Sequence, residues 1–279
     1  MKKLKLLFFV LAVGFAGLLH GQTGIFVIKS KLLEKPDTVA YYLPGNYKPF
    51  EKKNYPVVFM LHGYGGNYKQ MGQILNLQQY ADMYQFIIVC PDGQFDSWYF
   101  DSPVQTNSEY ERFFFHDLLP YVQTEFHTDT AHLFITGLSM GGHGAMYLFL
   151  RHSNVFAAAG SSSGVLDLNA SSLKYSSLSN RLGEYNENHA RFNSYSAINL
   201  LDSIKFTDKP LIFDCGNRDH LYESNKRFKE ACDSLHVNAF YFSFPGRHNR
   251  AYWRESFPLH FRYFFKIYLS SWAKENSGQ

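Results

Sequence analysis

Six short apolar runs constrain this chain more than any other feature: "YPVVFMLHG" (55–63), "FIIVCPDG" (86–93), "HLFITG" (132–137), "VFAAAGSSSG" (155–164), "PLIFDCG" (210–216) and "VNAFYFSFPG" (237–246). Runs that are apolar throughout must bury both faces, which marks interior, largely parallel strands. Helical patterns fall between them, near 69–84, 108–124, 140–152, 222–235 and 251–272. Strand and helix in alternation predict an α/β fold, a mostly parallel doubly wound sheet in one domain over 22–279. Ahead of these runs, residues 24–33 and 37–44 alternate as two edge strands joined by a turn at Glu34 to Pro36. One connection is out of proportion. From Gly164 to Lys209 the chain spends about 45 residues rich in Ser, Asn and Tyr, a length that predicts a lid-like insertion at about 165–209 covering or lining a site.

Residues 1–21 read as a secretory signal: Lys2, Lys3 and Lys5 precede an apolar run from Leu6 to Leu19, followed by His20, Gly21 and Gln22. As a helix that run reaches only about 21 Å, short of the roughly 30 Å of a bilayer core, so removal is favoured over membrane anchoring. The chain carries 27 Lys and Arg against 24 Asp and Glu, and three of the lysines belong to the leader. The mature protein is therefore expected to be neutral and secreted or periplasmic, with no clustered basic residues to suggest a nucleic-acid partner. Cys90, Cys215 and Cys232 are the only cysteines. The last two should lie about 15 Å apart along a strand-to-helix connection, too far for a disulfide, so three free and mostly buried thiols are expected.

Ligands of such sheets bind beyond the carboxyl ends of the strands, so those ends carry the functional reading. The strongest is "HLFITGLSMGGHGAM" (132–146), where Gly137-Leu138-Ser139-Met140-Gly141 matches G-x-S-x-G between a strand and a helix. A turn that tight strains the nucleophile's backbone and leaves no room for side chains two positions away. Glycine at 137 and 141 removes those collisions, and Ser139 is lifted to the amino end of the following helix. Serine needs a base, and the order on this fold is Ser, then an acid, then His. "CGNRDHLYESN" offers Asp219 in a loop, preferred over Asp214, which lies inside the strand pattern. "SFPGRHNRAYW" offers His248 after the last strand, preferred over His220, His236 and His260. "LHGYGGNYKQ" (61–70) supplies a glycine-rich turn whose Tyr64 N–H, with the N–H of Met140, is expected to form an oxyanion hole, while His62 shapes that turn. No HExxH, CxxC or GxGxxG-after-strand pattern is present, so neither a cofactor nor a metal is expected.

With these residues in place the sequence resembles the esterase family of α/β hydrolases that includes esterase D-type enzymes, secreted feruloyl and acetylxylan esterases, and mycolyltransferases. "PVVFMLHGYGGN", "SWYFDSP", "GLSMGGHGAMYLFLRH", "FAAAGSSSG", "DCGNRDHLYESN" and "PGRHNRAYW" are similar to its blocks, in its order, over nearly all of the mature chain. The resemblance implies a Ser139–His248–Asp219 triad, backbone donors at Tyr64 and Met140, and a carboxylic-ester substrate, with acyl or feruloyl esters of carbohydrates as the partners. It departs around His248: the family usually reads Gly-His-Asn-Trp there, whereas Arg247 precedes His248 and Arg250 stands where an aromatic is common. Trp98, Tyr99 and Asp101 are candidates to line the substrate site or to pack beneath the insertion, and Arg250 to meet an anionic substrate or solvent. Acyl transfer to a sugar or glycolipid hydroxyl, and a non-catalytic carbohydrate-binding role, are the alternatives to hydrolysis.

Overall fold

The computed structural model describes residues 22–277, so the expected leader over 1–21 lies outside the described residues. Eight strands form one sheet in the order β1-β2-β4-β3-β5-β6-β7-β8. They are β1 (Gln22–Ile28), β2 (Asp37–Leu43), β3 (Tyr55–Leu61), β4 (Ile87–Pro91), β5 (Thr128–Gly137), β6 (Ala158–Ser162), β7 (Leu211–Asp214) and β8 (Ala239–Phe242). The pairings of β1 with β2 and of β2 with β4 are antiparallel, and β3 to β8 run parallel.

Every residue of β3, β4, β6 and β7 is buried, as their largely apolar sequences lead one to expect, with Ser161, Ser162 and Asp214 the buried polar residues at the ends of β6 and β7. Alternate residues feed two cores. Val57, Phe59, Leu61, Val89 and Ile135 face one layer, and Val58, Met60, Ile88 and Phe134 face the other. The second layer contains α1 (Gln70–Ile74), α2 (Leu77–Tyr84) and the apolar stripe of the terminal helix, whose Tyr252, Phe257, Phe261 and Phe264 are buried. The first contains α3 (Tyr110–Phe113), α4 (Leu119–Glu125), α5 (Met140–Arg151), the insertion's α6 (Ser177–Leu182) and α7 (His189–Tyr195), and α8 (Tyr222–Ser234). The terminal helix is α9 (Arg250–Ser277). Among the described residues no helix is long and apolar enough to cross a membrane.

Three sequence expectations change at this level. Strand β1 stops at Ile28 rather than continuing to residue 33, and Leu33 instead forms an isolated bridge with Ser108. Strand β2 is interior, because β4 pairs along its second side. The pattern over 69–84 is two helices, since Leu75 is extended and Asn76 restarts the chain by accepting from the Gln79 N–H. The cysteines are buried and free, and burial pushes the Cys232 thiol up to about 12.

Candidate active site

The turn after β5 is strained where the sequence requires it to be. Ser139 has φ 55° and ψ −116°, a conformation that non-glycine residues adopt only under constraint. Its N–H donates to the Ser162 carbonyl at 3.0 Å, and its carbonyl accepts from the His143 N–H at 3.0 Å, so the backbone is clamped between β6 and α5. A Cβ on Gly137 would stand 2.4 Å from the Gly141 carbonyl oxygen, and one on Gly141 would stand 2.2 Å from that of Leu61. Both are backbone collisions, so these two glycines are a steric condition of the turn.

Two loops then converge on the Ser139 hydroxyl. Backbone bonds from Asn217 N–H to the Phe244 carbonyl (3.0 Å) and from Arg218 N–H to the Gly246 carbonyl (2.9 Å) stitch the loop after β7 to the loop after β8. Those stitches bring Asp219 and His248 together. His248 Nδ1 donates to Asp219 Oδ2 at 2.9 Å, which leaves Nε2 to accept from Ser139 Oγ at 2.9 Å. The ring of His248 is held edge-on by Trp253 (5.1 Å) and His220 (4.8 Å). Burial works to raise the Asp219 carboxyl, but the His248 hydrogen bond and charge, with the Leu221 N–H, outweigh it and leave it below the usual carboxylate range.

The candidate oxyanion donors stand out by elimination. Gly63 N–H donates to Gln70 Oε1 (2.8 Å), Gly65 to the Phe95 carbonyl (2.9 Å), Gly66 to that of Gly63 (2.9 Å) and Gly141 to that of Leu138 (2.8 Å). Among the described residues, the N–H groups of Tyr64 and Met140 donate to no acceptor. Behind this loop, His62 is buried with Nδ1 2.7 Å from the Gly63 carbonyl and Nε2 against that of Asp92. Burial lowers its pKa to about 4, so the ring is neutral at pH 7 and can donate to only one of the two. The Asp92–Gly93 turn beneath it rests on Asp37, whose carboxyl accepts from the Asp92 N–H (2.9 Å), the Gly93 N–H (3.2 Å) and the Tyr110 hydroxyl (3.1 Å). Burial outweighs those donors and raises Asp37 to about 7.

Ser139 opens into a cleft of about 540 Å³. One wall is the loop of Gly63, Tyr64 and Gln70, and the opposite wall is Val165 with Ala170–Leu173 of the insertion. Among the side chains that fasten the insertion to the rest of the molecule are His143 and Arg181. His143 on α5 donates through Nε2 to the Tyr195 carbonyl at 2.9 Å. Arg181 on α6 pairs with Asp96 and donates to Ser108 Oγ (2.7 Å) and Gln105 Oε1 (2.5 Å). A larger groove of about 680 Å³, between β8 and α9, is lined by Phe240, Tyr263, Lys266 and their neighbours and contains none of these groups.

The four candidate substrate contacts do not line the cleft. Trp98 and Tyr99 are fully buried: Trp98 packs edge-on against His143 at 5.7 Å, and the Tyr99 hydroxyl donates to the His62 carbonyl at 3.1 Å. Asp101 accepts from the Arg112 N–H at 3.0 Å and borders a separate shallow groove with Ser102 to Thr106. Arg250 is exposed, 3.4 Å from Gln73 Oε1. The cleft is lined instead by Gln70, Leu173, His220 and Trp253. Gln70, His220 and Trp253 lie within the strand-end segments that the sequence singles out, but none was assigned to the substrate site. Asp219, His220 and His248 are also the one group among the described residues whose metal-ligand atoms converge, within 4.8 Å, and its two inner members are bonded to each other.

A family described as Putative esterase matches residues 30–264. The chain belongs to this family. It is a serine carboxylic-ester hydrolase with the α/β-hydrolase fold. An acetyl esterase from Caldicellulosiruptor saccharolyticus is 24% identical over 85% of this chain and 96% of that protein. An endo-1,4-beta-xylanase/feruloyl esterase from Xylanibacter ruminicola is 30% identical over 52% of this chain, a stretch that makes up 22% of that protein. The solved S-formylglutathione hydrolase from Agrobacterium tumefaciens, at 19% identity, superposes with a TM-score of 0.79 over 90% of this chain and 96% of its own.

Proposed function

We propose that this esterase is exported and removes acyl or feruloyl groups from carbohydrates, with Ser139 as nucleophile, His248 as general base and acid, and Asp219 as the residue that orients His248. Ser139 Oγ attacks the ester carbonyl while His248 Nε2 takes its proton, and the oxyanion is received by the N–H groups of Tyr64 and Met140. Collapse breaks the bond to the alcohol, which leaves with the proton from His248. Water, deprotonated by the same nitrogen, then releases the acid. The observation that carries the reading is the unbroken chain Asp219 Oδ2, His248, Ser139 Oγ, with both links at 2.9 Å and its hydroxyl end in the cleft. The carbohydrate part rests on the acetyl esterase and xylanase/feruloyl esterase relatives, and export on the leader-like residues 1–21.

The test compares wild type with Ser139→Ala on p-nitrophenyl acetate, acetylated xylo-oligosaccharides and methyl ferulate. Wild type is expected to turn over the acetyl esters and the variant none of them. Equal turnover of p-nitrophenyl acetate by the two proteins refutes the serine assignment.

A further inference from the structure

Two large aromatic rings stand exposed where the cleft opens. Tyr64, which lines the cleft, is 42% exposed, and Phe95 is 59% exposed. They meet edge to face with centroids 5.2 Å apart. Phe95 belongs to the loop after β4, and its position is fixed from below. Its carbonyl holds the Gly65 N–H at 2.9 Å, and its ring lies so close over Gly65 that a Cβ there would stand 3.4 Å from it. The loop that presents the Tyr64 N–H to the reacting ester thus also carries an aromatic shelf. Single exposed apolar residues are ordinary on protein surfaces, but two rings in edge-to-face contact, one of them lining a cleft, extend that cleft with an apolar surface.

We propose that Tyr64 and Phe95 form a subsite for a sugar ring of the alcohol portion of the substrate, a reading that rests on the carbohydrate esterase function proposed above. The argument is one of place and chemistry. The acyl carbon must reach Ser139 inside the cleft, so the group left at the mouth, half in water, is the alcohol. A pyranose has an apolar C–H face and a rim of hydroxyls. It covers aromatic carbon while its hydroxyls stay solvated, which is the half-wet setting that aromatic side chains suit. Polar groups of the same cleft can meet those hydroxyls: Ser172 on the far wall, and on the wall of Tyr64 the Gln70 amide, whose oxygen is engaged by Gly63 and whose NH₂ end donates to no described residue. An aromatic acyl group is the competing occupant. It would be drawn into the cleft, against Leu173, Leu221 and Trp253, rather than onto an exposed shelf.

The experiment measures kcat/KM of wild type, Phe95→Ala and Phe95→Tyr on an acetylated xylo-oligosaccharide, on p-nitrophenyl acetate and on methyl ferulate. Relative to p-nitrophenyl acetate, the oligosaccharide value should fall about tenfold in Phe95→Ala, mainly through KM, and recover in Phe95→Tyr. If wild type deacetylates the oligosaccharide but the ratio is the same in all three proteins, the subsite is refuted and the carbohydrate esterase reading survives. A ratio that falls for methyl ferulate instead assigns the shelf to an aromatic acyl group and overturns the inference. Should wild type hydrolyse p-nitrophenyl acetate but no sugar ester, the carbohydrate reading itself fails and the subsite with it.

Discussion

Two of the molecule's chains of acid, imidazole and hydroxyl start from the end of β7 and the loop that follows it. In one, Asp219 Oδ2 bonds His248, which bonds Ser139 Oγ, with both links at 2.9 Å. In the other, Asp214 Oδ2 bonds His260 Nε2, and His260 Nδ1 bonds Thr136 Oγ1, both at 2.8 Å. Residue types and distances scarcely distinguish them. Surroundings do. Asp214, His260 and Thr136 are at most 1% exposed, and Asp214 is further occupied by Ser162 Oγ (2.9 Å) and Ser256 Oγ (3.1 Å). No carbonyl carbon can approach Thr136. Ser139 instead lies in a cleft beside uncommitted N–H groups, on a backbone bent to expose it. Three correctly spaced residues make a clamp when buried, and a reacting group only with access and somewhere to put the negative charge.

This contrast can be broken or sharpened by substitution. The largest effect is expected for Ser139→Ala, which should reduce kcat on p-nitrophenyl acetate by about 10⁴- to 10⁶-fold with the melting temperature preserved. Asp219→Asn should cost about 10⁴-fold in kcat, because His248 would be held in the wrong tautomer. His260→Ala reverses the pattern: it strands a buried acid and should destabilise the fold by about 3–5 kcal/mol in denaturant titration, with little change in kcat of the folded enzyme. A His260→Ala protein that stays folded and loses turnover as Asp219→Asn does would erase the distinction. Thr136→Val, which removes only the terminal hydroxyl of the buried chain, should cost about 1–2 kcal/mol.

A smaller prediction concerns pH. Asp37 is raised to about 7 in the folded protein, so between about pH 4 and 7 the native state holds a proton that the unfolded chain has released. The stability this confers is complete below about pH 4 and lost as pH rises towards 7. In Asp37→Asn the decline between pH 4 and 7 should be shallower than in wild type, as read from urea midpoints. Asp219 has the opposite sign. Its lowered pKa contributes stability at neutral pH that is lost only as pH falls through the folded value.

The strand ends were readable from sequence because they obey strong local rules. Unbroken apolar runs closed by glycine locate β3 to β7, and the collisions around Ser139 admit little but glycine at 137 and 141. The order of serine, acid and histidine then follows from the order of the loops. For Trp98 and Tyr99 the sequence left two places open, the substrate wall or packing beneath the insertion, and the structure takes the buried one for an equally local reason. They are consecutive left-handed residues, φ 55° and 62°, in a stretch with no glycine to announce the bend, and the bend turns both rings inward. The insertion was legible as a segment lining the site, but its wall residues Ala170–Leu173 were not legible one by one, since short helices rich in Ser and Asn carry little periodicity. His260 and Asp214 were legible as core residues, but not as partners, because 46 positions of chain separate them.

The far side of that wall has a consequence for selectivity. Leu178, Leu182 and Phe192 of the insertion are fully buried in the same apolar layer as α5. To swing aside as a flap the segment would have to drag these side chains into water, which makes it part of the vessel rather than its door. An esterase with a fixed back wall behaves as a ruler: esters should be accepted up to the length that reaches Leu173 and discriminated sharply beyond it.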